Sequence, residues 1–253
     1  MESIEITSIN NELVKQTVKL QQKKYRDEEK KFLLEGFKPI EEAFNAKLDI
    51  EKVFVLKEKK DKYKFLKEKC ILTTEPVLKK ISTTDSAPEA VAVAKQKTFT
   101  LNDIKDAQKV VLLENIKDLG NLGTILRTAK AFSQDAVILF GDTVDLYNPK
   151  CVRSAVGNLW KLPVVQIKDF EILKKQFGNF EKVATLPQSK NTINLKDFKA
   201  TPPYLIMFGS EAEGLSQKLI DFSSQKLTIN MSPEVESLNL SVSVGIILNS
   251  LNN

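Results

Sequence analysis

The sequence predicts an α/β fold with two domains and a mainly parallel sheet in the second. After residue 110, short apolar segments rich in β-forming residues recur with helical patterns between most of them, which is typical of a parallel sheet covered by helices on both faces. Before residue 95, helical and strand patterns alternate over a smaller span. The stretch between them, 95–109, is polar and aperiodic. We therefore predict domains at 1–95 and 109–253, joined by a linker at 96–108.

Residues 1–95 are predicted to form a compact α/β module. Residues 10–31 have the pattern of one charged helix, with Val14 and Val18 on its apolar face. FLLEGFKPIEEAFNA, which begins at Phe32, has a second helical pattern. VFVL at 53–56 and AVAVA at 90–94 predict strands.

Six short apolar segments predict the strands of the second domain. They are VVLL (110–113), AVILF (136–140), VVQI (164–167), KVATL (182–186), YLIMF (204–208) and LTI (227–229). Neither an internal repeat nor a low-complexity tract is visible.

Composition excludes several kinds of chemistry. The 253 residues include no His, so Ser-His and Cys-His nucleophile pairs and His-containing metal sites are ruled out. The two cysteines, Cys70 and Cys151, predict reduced thiols and no disulfide framework. The net charge is +5, and its excess lies mostly in residues 1–100, with 21 basic against 17 acidic residues. Such an excess suits a polyanion partner, but it also suits a solvated lysine-rich surface.

The N-terminal sequence has no basic region followed by an apolar run, and no stretch approaches the roughly 20 apolar residues needed to span a bilayer. We expect a cytoplasmic protein without a membrane partner.

The first candidate constellation is ENIKDLGNLGTILRTAKAF, residues 114–132, directly after a predicted strand. Asp118 and Asn121 are good helix N-cap residues. Leu122, Ile125, Leu126, Ala129 and Phe132 form an apolar stripe, and Arg127 falls off it. Asn121 and Arg127 can both face the carboxyl edge of the sheet, where ligands of α/β proteins bind. A plain cap and a surface charge remain the alternative interpretation.

The second constellation is YLIMFGSEAEGLS, residues 204–216. Gly209 and Gly214 bracket a turn at the end of a predicted strand, where glycines allow a ligand to approach the backbone closely. An ordinary strand–turn–helix would show the same pattern. The turn has neither a dinucleotide fingerprint nor a phosphate loop.

The third constellation is LTINMSPEVESLNLSVSVGIILNSL, residues 227–251. Its apolar residues suit a closing strand or a helix that Ser237 could cap, and periodicity leaves both open.

Together the three constellations resemble the motifs of the SpoU (TrmH-like) family of RNA ribose 2′-O-methyltransferases, part of the SPOUT class. The matching patterns are Asn-x-x-x-Ile-x-Arg, Gly-Ser-Glu-x-x-Gly and Ser-Leu-Asn, at Asn121–Arg127, Gly209–Gly214 and Ser237–Asn239. INN (9–11), KKYR (23–26) and FLLEG (32–36) resemble the small ribosomal-protein-like substrate-binding domain that many members carry. The sequence departs from the family pattern at Leu119, Asn230 and Pro233.

The resemblance implies an S-adenosylmethionine (AdoMet)-dependent enzyme that methylates a ribose of RNA, with 23S ribosomal RNA favoured over transfer RNA. It also implies a helical C-terminal segment in a trefoil knot and a homodimer. The implied catalytic residues are Arg127, Asn121, Glu211, Ser237 and Asn239. The implied cofactor-binding residues are Gly209, Gly214, Ile229, Met231 and Leu238. The implied RNA-binding residues are Asn10, Lys23 and Arg26, and no metal is expected.

A sulfonium methyl donor needs no covalent intermediate, so positioning and deprotonation are the tasks left to the protein. Because an arginine guanidinium stays protonated, we expect Arg127 to grip an RNA phosphate bidentately and, with it, to orient the 2′-hydroxyl. Glu211 is expected to orient Arg127 or Asn121. The alternatives are a transfer RNA methyltransferase, a catalytically idle RNA-binding or ribosome-assembly factor of the same fold, and an unrelated nucleotide-binding α/β enzyme.

Overall fold

The structure, a computed structural model, describes residues 4–252 apart from the side chain of Lys67. The chain separates into two compact units. The first unit contains the residues up to Lys97 together with Asp145–Trp160. The second unit contains Thr98–Val144 together with the residues from Lys161 onward. None of the helices in the described part of the chain has the length and apolar character needed to cross a membrane.

The first unit is built on a mixed sheet that, among the described residues, has five strands in the order β1-β4-β3-β5-β2. Strand β4 is parallel to β1 and β3, whereas β5 is antiparallel to β3 and β2. The strands are β1 (Glu5–Ile6), β2 (Lys31–Glu35), β3 (Ile50–Leu56), β4 (Cys70–Thr73) and β5 (Ala90–Lys95). The helices are α1 (Glu12–Lys19), α2 (Lys23–Glu29), α3 (Phe37–Asn45) and α4 (Glu75–Ile81), and a kinked 3₁₀ segment spans Lys57–Lys69.

Two sequence predictions for this unit are wrong. Residues 10–31 form two helices, because the chain becomes extended at Gln22 while the Leu20 side chain is buried. FLLE (32–35) lies in β2, and α3 begins only after Gly36, whose φ of +86° favours glycine. Residues 32–35 are buried by pairing with β5, so tertiary packing overrides their helical pattern.

Residues 145–160 belong to the first unit although they lie inside the range predicted for the second domain. This segment includes α6 (Pro149–Ala155). The Phe32 ring packs against Tyr147, with centroids 4.7 Å apart, and against Trp160 at 6.2 Å. Local patterns could not predict this assignment, because it depends on contacts between distant parts of the sequence.

The second unit is built on a parallel sheet, which confirms the predicted fold class. Its strands among the described residues are ordered β10-β12-β9-β11-β6-β7-β8, and every neighbouring pair is parallel. The strands are β6 (Lys109–Glu114), β7 (Ala136–Phe140), β8 (Val164–Ile167), β9 (Glu181–Thr185), β10 (Ile193–Asn194), β11 (Tyr204–Phe208) and β12 (Gln225–Thr228). The helices are α5 (Leu119–Ala131), α7 (Phe170–Phe177), α8 (Gln217–Phe222) and α9 (Leu240–Leu251). The short β10 was not predicted.

The predicted linker at 96–108 is not simply a solvated connection. A 3₁₀ turn spans Leu101–Ile104, and Thr100 and Asp103 form a reciprocal capping box at its start. Ile104 and Ala107 are buried in the core of the second unit. Few apolar residues are enough to anchor this segment, which is why its sequence looks like a linker.

Helices α5 and α9 pack against each other in the second unit. Leu122, Ile125, Leu126 and Ala129 of α5 are buried, as their spacing predicts. The closing segment is helical, and its buried face consists of Val244, Ile247 and Leu248. A Cβ at Gly245 of α9 would lie 3.8 Å from the Thr128 methyl group of α5, which is an ordinary contact distance, so the packing of the two helices leaves room for a methyl group there.

Candidate active site

The carboxyl ends of neighbouring strands converge on one cavity in the second unit. From β6 the chain runs to β7 and β8 on one side and later returns to β11 on the other, so β6 and β11 flank a topological switch point. Ligands of parallel α/β sheets bind at such points. The cavity has a volume of about 680 Å³. It is lined by Asn115, Lys117, Asp118, Asp142, Ser210, Glu211, Ala212 and Glu213.

Gly209 and Gly214 close the tight turn that follows β11. The backbones of Ser210 and Gly214 exchange hydrogen bonds of 3.2 and 3.0 Å. A Cβ at Gly209 would lie 1.9 Å from the carbonyl carbon of Gly214, so no side chain fits there. Gly214 has a φ of +67°, which also favours glycine. The turn therefore depends on both glycines, and its fold presents Ser210, Glu211 and Glu213 to the cavity.

Asn121 joins the three candidate constellations of the sequence. Its Nδ2 donates to Glu211 Oε1 at 2.7 Å, and its Oδ1 accepts a bond from Asn239 Nδ2 at 3.0 Å. Glu211 lies 90 positions and Asn239 lies 118 positions from Asn121 in the sequence, yet both hydrogen-bond its side chain. Glu211 was expected to orient either Arg127 or Asn121, and of these two residues it is Asn121 that the Glu211 carboxylate contacts.

The chemistry of Glu211 fixes the orientation of both amides. An ionised carboxylate only accepts hydrogen bonds, so Asn121 turns its NH₂ group toward Glu211 and its oxygen toward Asn239. Asn239 then turns its own oxygen toward the start of α9, where it accepts bonds from the Ser241 and Val242 amides at 2.9 and 3.4 Å. Glu211, Asn121 and Asn239 form one directional chain of hydrogen bonds, which we call the amide network.

The N-cap of α9 is Asn239, not Ser237 as the sequence suggested. Ser237 is exposed in the preceding loop, two residues before the cap, and makes no hydrogen bond with the described residues. The two candidates are both good capping residues, so their types alone could not separate them. At the start of α5, Asp118 is the cap, and its side chain accepts from the Asn121 amide at 2.7 Å.

Arg127 lies on the exposed side of α5, as its position off the apolar stripe predicts. The Arg127 side chain makes no hydrogen bond and no ion pair with any residue of the described chain. Its five guanidinium donors are therefore available to a ligand. Lys130, one turn further along the same helix, is also exposed.

The loop between β12 and α9 provides surface suited to an amphipathic cofactor. Ile229, Met231 and Leu238 are half-buried, which leaves part of each apolar side chain accessible. Met231 and Leu238 make no hydrogen bond with the described residues, so their backbone groups can serve a ligand. An adenosine with an attached amino acid needs both apolar surface and main-chain partners, and this loop offers both.

Glu114, the last residue of β6, and Asn115, which follows it, were not predicted as site residues. Glu114 is 2% exposed, and its carboxylate accepts from the Ser216 amide at 2.7 Å, just after the Gly209–Gly214 turn. Asn115 has a φ of +53°, and its side chain accepts from the Asp142 amide at 2.9 Å. A polar pair directly after an apolar strand was the available signal, but its partners lie far away in sequence.

The predicted RNA-binding residues of the first unit have different environments. Asn10 and Lys23 are exposed. The prediction for Arg26 needs correction, because that side chain is 1% exposed. It donates to Asp145 Oδ2 from Nε and Nη2, at 3.0 and 2.5 Å, and to the carbonyls of Leu20 and Gln21. Arg26 therefore stabilises the first unit and has no accessible surface for RNA.

The cysteines are free and unsuited to nucleophilic catalysis. Burial penalises the thiolate of Cys151 and raises its pKa to about 12. Burial also raises the pKa of the Cys70 thiol. Within residues 4–252, no group of three or more Cys, Asp or Glu side chains could hold a metal ion.

A parallel α/β sheet with a polar cavity at its switch point defines a ligand-binding domain of the kind found in enzymes. Residues 108–249 match the SpoU rRNA Methylase family, and residues 11–92 match the MRM3-like substrate binding domain. The chain belongs to the SpoU family, which confirms the resemblance carried by the three constellations.

Known proteins of this family align with nearly the whole chain. An uncharacterised tRNA/rRNA methyltransferase of Synechocystis sp. is 32% identical over 252 residues, which cover 96% of this chain and 91% of the relative. The 23S rRNA (guanosine(2553)-2′-O)-methyltransferase RlmP of Bacillus subtilis is 28% identical over 250 residues, covering 96% and 97%.

Solved structures show the same fold. The AdoMet-bound rRNA methyltransferase of Sinorhizobium meliloti is 27% identical, with a TM-score of 0.87 over 97% of this chain and 96% of that one. An RNA 2′-O ribose methyltransferase structure is 32% identical, with a TM-score of 0.82 over 98% and 97%.

Proposed function

We propose that this protein transfers the methyl group of AdoMet to a ribose 2′-hydroxyl of RNA, with 23S ribosomal RNA as the substrate. The observation that carries the proposal is the amide network, because it joins the three family motifs beside the switch-point cavity. Relatives that align with most of the chain support the reaction class. We also propose that the protein acts in the cytoplasm.

Arg127 is the residue we propose to act on the RNA. Its guanidinium is exposed and has no partner in the described chain, so binding a phosphate would not require breaking an internal ion pair. A planar guanidinium binds a phosphate through two parallel hydrogen bonds, which fixes the neighbouring ribose in orientation. The phosphate can then accept the 2′-hydroxyl proton late in the reaction, since the guanidinium itself is no base.

The amide network is proposed to set the position of the motifs around the ribose. Glu211 holds Asn121, and Asn121 holds Asn239, so each side chain has a single favoured orientation. Preorganised groups of this kind spend little free energy on ordering when the substrate binds. Ser237 is proposed to contact the substrate from the exposed loop before α9.

Gly209, Gly214, Ile229, Met231 and Leu238 are the residues we propose to hold AdoMet. Bound AdoMet would supply a methyl group already activated by its sulfonium charge. The half-buried apolar side chains of the loop would cover its apolar parts, and the backbones of Met231 and Leu238 would hydrogen-bond its polar edges. Asn10 and Lys23 remain proposed RNA contacts of the first unit.

A homodimer and a trefoil knot complete the proposal. Val242 and Ile246, four residues apart on α9, are 48% and 39% exposed and form an apolar stripe. A C2 interface that covers this stripe would remove it from water. Light scattering should give twice the monomer mass of 28.5 kDa, and Val242→Lys should shift the protein toward monomer. A wild-type monomer at micromolar concentration would contradict this part of the proposal.

The reaction can be tested with the purified full-length chain, AdoMet labelled in its methyl group, and ribosomal or transfer RNA. After complete nuclease digestion, mass spectrometry should find a 2′-O-methylated nucleoside in the ribosomal RNA. Methylation of transfer RNA alone would favour the transfer RNA alternative. AdoMet binding without transfer to any RNA would identify an idle factor, and transfer to a base would refute the ribose assignment.

A further inference from the structure

The first unit carries a separate surface cavity, about 640 Å³ in volume, that none of the family motifs lines. It lies between the C-terminal end of α3, the loop that leads into β3 and the second half of the 57–69 segment. Its walls combine two aromatic rings, Phe44 and Phe65, with the lysines at 47, 64 and 69 and one carboxylate, Glu68. A volume of this size is within the range of small-ligand sites.

The aromatic wall is accessible on one side and supported on the other. Phe44 is 41% exposed, and its ring lies 4.9 Å from the Phe65 centroid at an interplanar angle of 56°. Phe65 is in turn packed beside Tyr63 and Phe37, both at 6.2 Å. Tyr63 is fully buried, and its hydroxyl donates a hydrogen bond to the Glu89 carboxylate. A cluster of one buried and two half-buried aromatic rings therefore holds the exposed Phe44 ring in place.

The surroundings of this ring are strongly basic. The 57–69 segment has seven lysines against three acidic residues. Lys47 is exposed and has no ion pair within the described chain. The Lys64 side chain is 75% exposed and lies 3.5 Å from the equally solvated Asp61, a pairing of little energetic weight. By contrast, the Lys69 ammonium donates a hydrogen bond to the Ile50 carbonyl, so this lysine forms part of the cavity wall.

We propose that this cavity binds an unpaired nucleotide of the RNA substrate. The base would stack on Phe44 and Phe65, and its phosphates would lie between Lys47 and Lys64. Proteins recognise unpaired RNA bases by stacking them on aromatic side chains, and lysines neutralise the adjoining phosphates. Charge complementarity selects an anionic, aromatic ligand over an apolar peptide. The inference rests on the proposed function, because it takes RNA as the substrate.

The test measures RNA affinity of the full-length chain by fluorescence anisotropy, with a labelled single-stranded oligoribonucleotide and the same sequence in a duplex. Phe44→Leu keeps apolar volume but removes the π-face, and it should weaken single-strand binding by about 5- to 150-fold, as stacking free energies indicate. Phe44→Tyr should restore most of the affinity. Duplex binding should change much less, because paired bases cannot enter the cavity.

Lysine substitutions give a matched comparison within one segment. Lys64→Gln and Lys60→Gln remove the same charge, but Lys60 does not line the cavity. Lys64→Gln should reduce the dependence of log affinity on log salt by about 0.7, the contribution of one phosphate contact on a single strand, and Lys60→Gln should leave it nearly unchanged. Equal effects of the two substitutions would show a diffuse basic surface and overturn the proposal.

Ultraviolet crosslinking of the wild-type chain keeps the test decisive if a variant fails to fold. The crosslinked peptide should contain Phe44 or Phe65, and crosslinks confined to other elements would overturn the proposal. AdoMet affinity, measured by calorimetry, should be the same in every variant. If the wild type binds the single strand through the cavity but transfers no methyl group, only the proposed function is refuted. If the wild type transfers the methyl group and Phe44→Leu binds the single strand as tightly as the wild type does, only the cavity proposal is refuted.

Discussion

Arg26 and Arg127 occupy opposite environments, although the same family resemblance predicted a role in RNA recognition for both. Three of the 38 basic residues in the chain are arginines. Arg26 is buried in the first unit and bound to Asp145, and Arg153 in that unit donates to the buried carboxylate of Glu35 at 2.6 Å. Arg127 is exposed on α5 in the second unit and has no partner among the described residues. A motif match therefore identifies a candidate residue, but the burial and hydrogen bonds of its side chain determine whether that residue can bind a ligand.

The largest effect is expected from Arg127→Ala. It should reduce methyl transfer by about 100- to 10,000-fold, the range for losing a group that positions a proton transfer. Thermal stability and AdoMet affinity should stay close to those of the wild type, because the Arg127 side chain makes no hydrogen bond or ion pair within the described chain. Lys130→Ala, an exposed position on the same helix, is the matched control and should retain activity. Equal losses in both variants would mean that general surface charge, not Arg127, is required.

Arg26→Ala is expected to have the opposite signature. Removing one partner of a buried ion pair leaves Asp145 and two carbonyls without their donor, which should lower the free energy of unfolding by about 3–5 kcal/mol. Urea unfolding of Arg26→Ala and Arg127→Ala should show a large loss in the free energy of unfolding for the first variant and almost none for the second. If Arg26→Ala keeps wild-type stability and loses RNA affinity, Arg26 binds RNA and does not stabilise the first unit.

Gly209→Ala tests the turn that presents Glu211. The new Cβ would overlap the Gly214 backbone, so we expect a loss of about 1–3 kcal/mol in stability and a clear loss of AdoMet affinity. Gly245→Ala adds the same methyl group at ordinary contact distance from Thr128 and should be tolerated. AdoMet affinity of both variants can be measured by calorimetric titration. An unchanged affinity in Gly209→Ala would show that the turn does not require glycine at this position.

Among the substitutions expected to destabilise the protein, Asn239→Ala should have the smallest effect. Asn239→Ala removes the α9 cap and should cost about 1 kcal/mol, together with weaker AdoMet binding. Asn239→Asp keeps a capping oxygen but loses the donor to Asn121 Oδ1, so it should restore stability without restoring turnover. Full activity in Asn239→Asp would show that the cap matters and the amide network does not.

The sequence predicted the second unit well because its strands are short, apolar and separated by helical patterns. Arg127 was predicted to lie off the buried stripe, and α5 confirms it. The contact between Glu211 and Asn121 was also predicted, as one of two alternatives. These successes rest on local periodicity combined with a family pattern that links distant segments.

The failures arise where distant contacts decide the outcome. FLLE (32–35) forms a strand because β5 pairs with it, and the 145–160 segment belongs to the first unit because Phe32 packs on Tyr147 and Trp160. Arg26 became structural because Asp145, 119 residues away, lies beside it. No pattern within a window of ten to twenty residues contains this information.

The central claim is that Arg127 orients the RNA through the planar geometry of its guanidinium, and Arg127→Lys tests it most directly. Lysine keeps the positive charge but cannot bind a phosphate bidentately. Single-turnover methyl transfer should fall nearly as far in Arg127→Lys as in Arg127→Ala, with AdoMet affinity unchanged in both. Near-normal turnover in Arg127→Lys would show that charge alone suffices, and it would contradict the orienting role of the guanidinium.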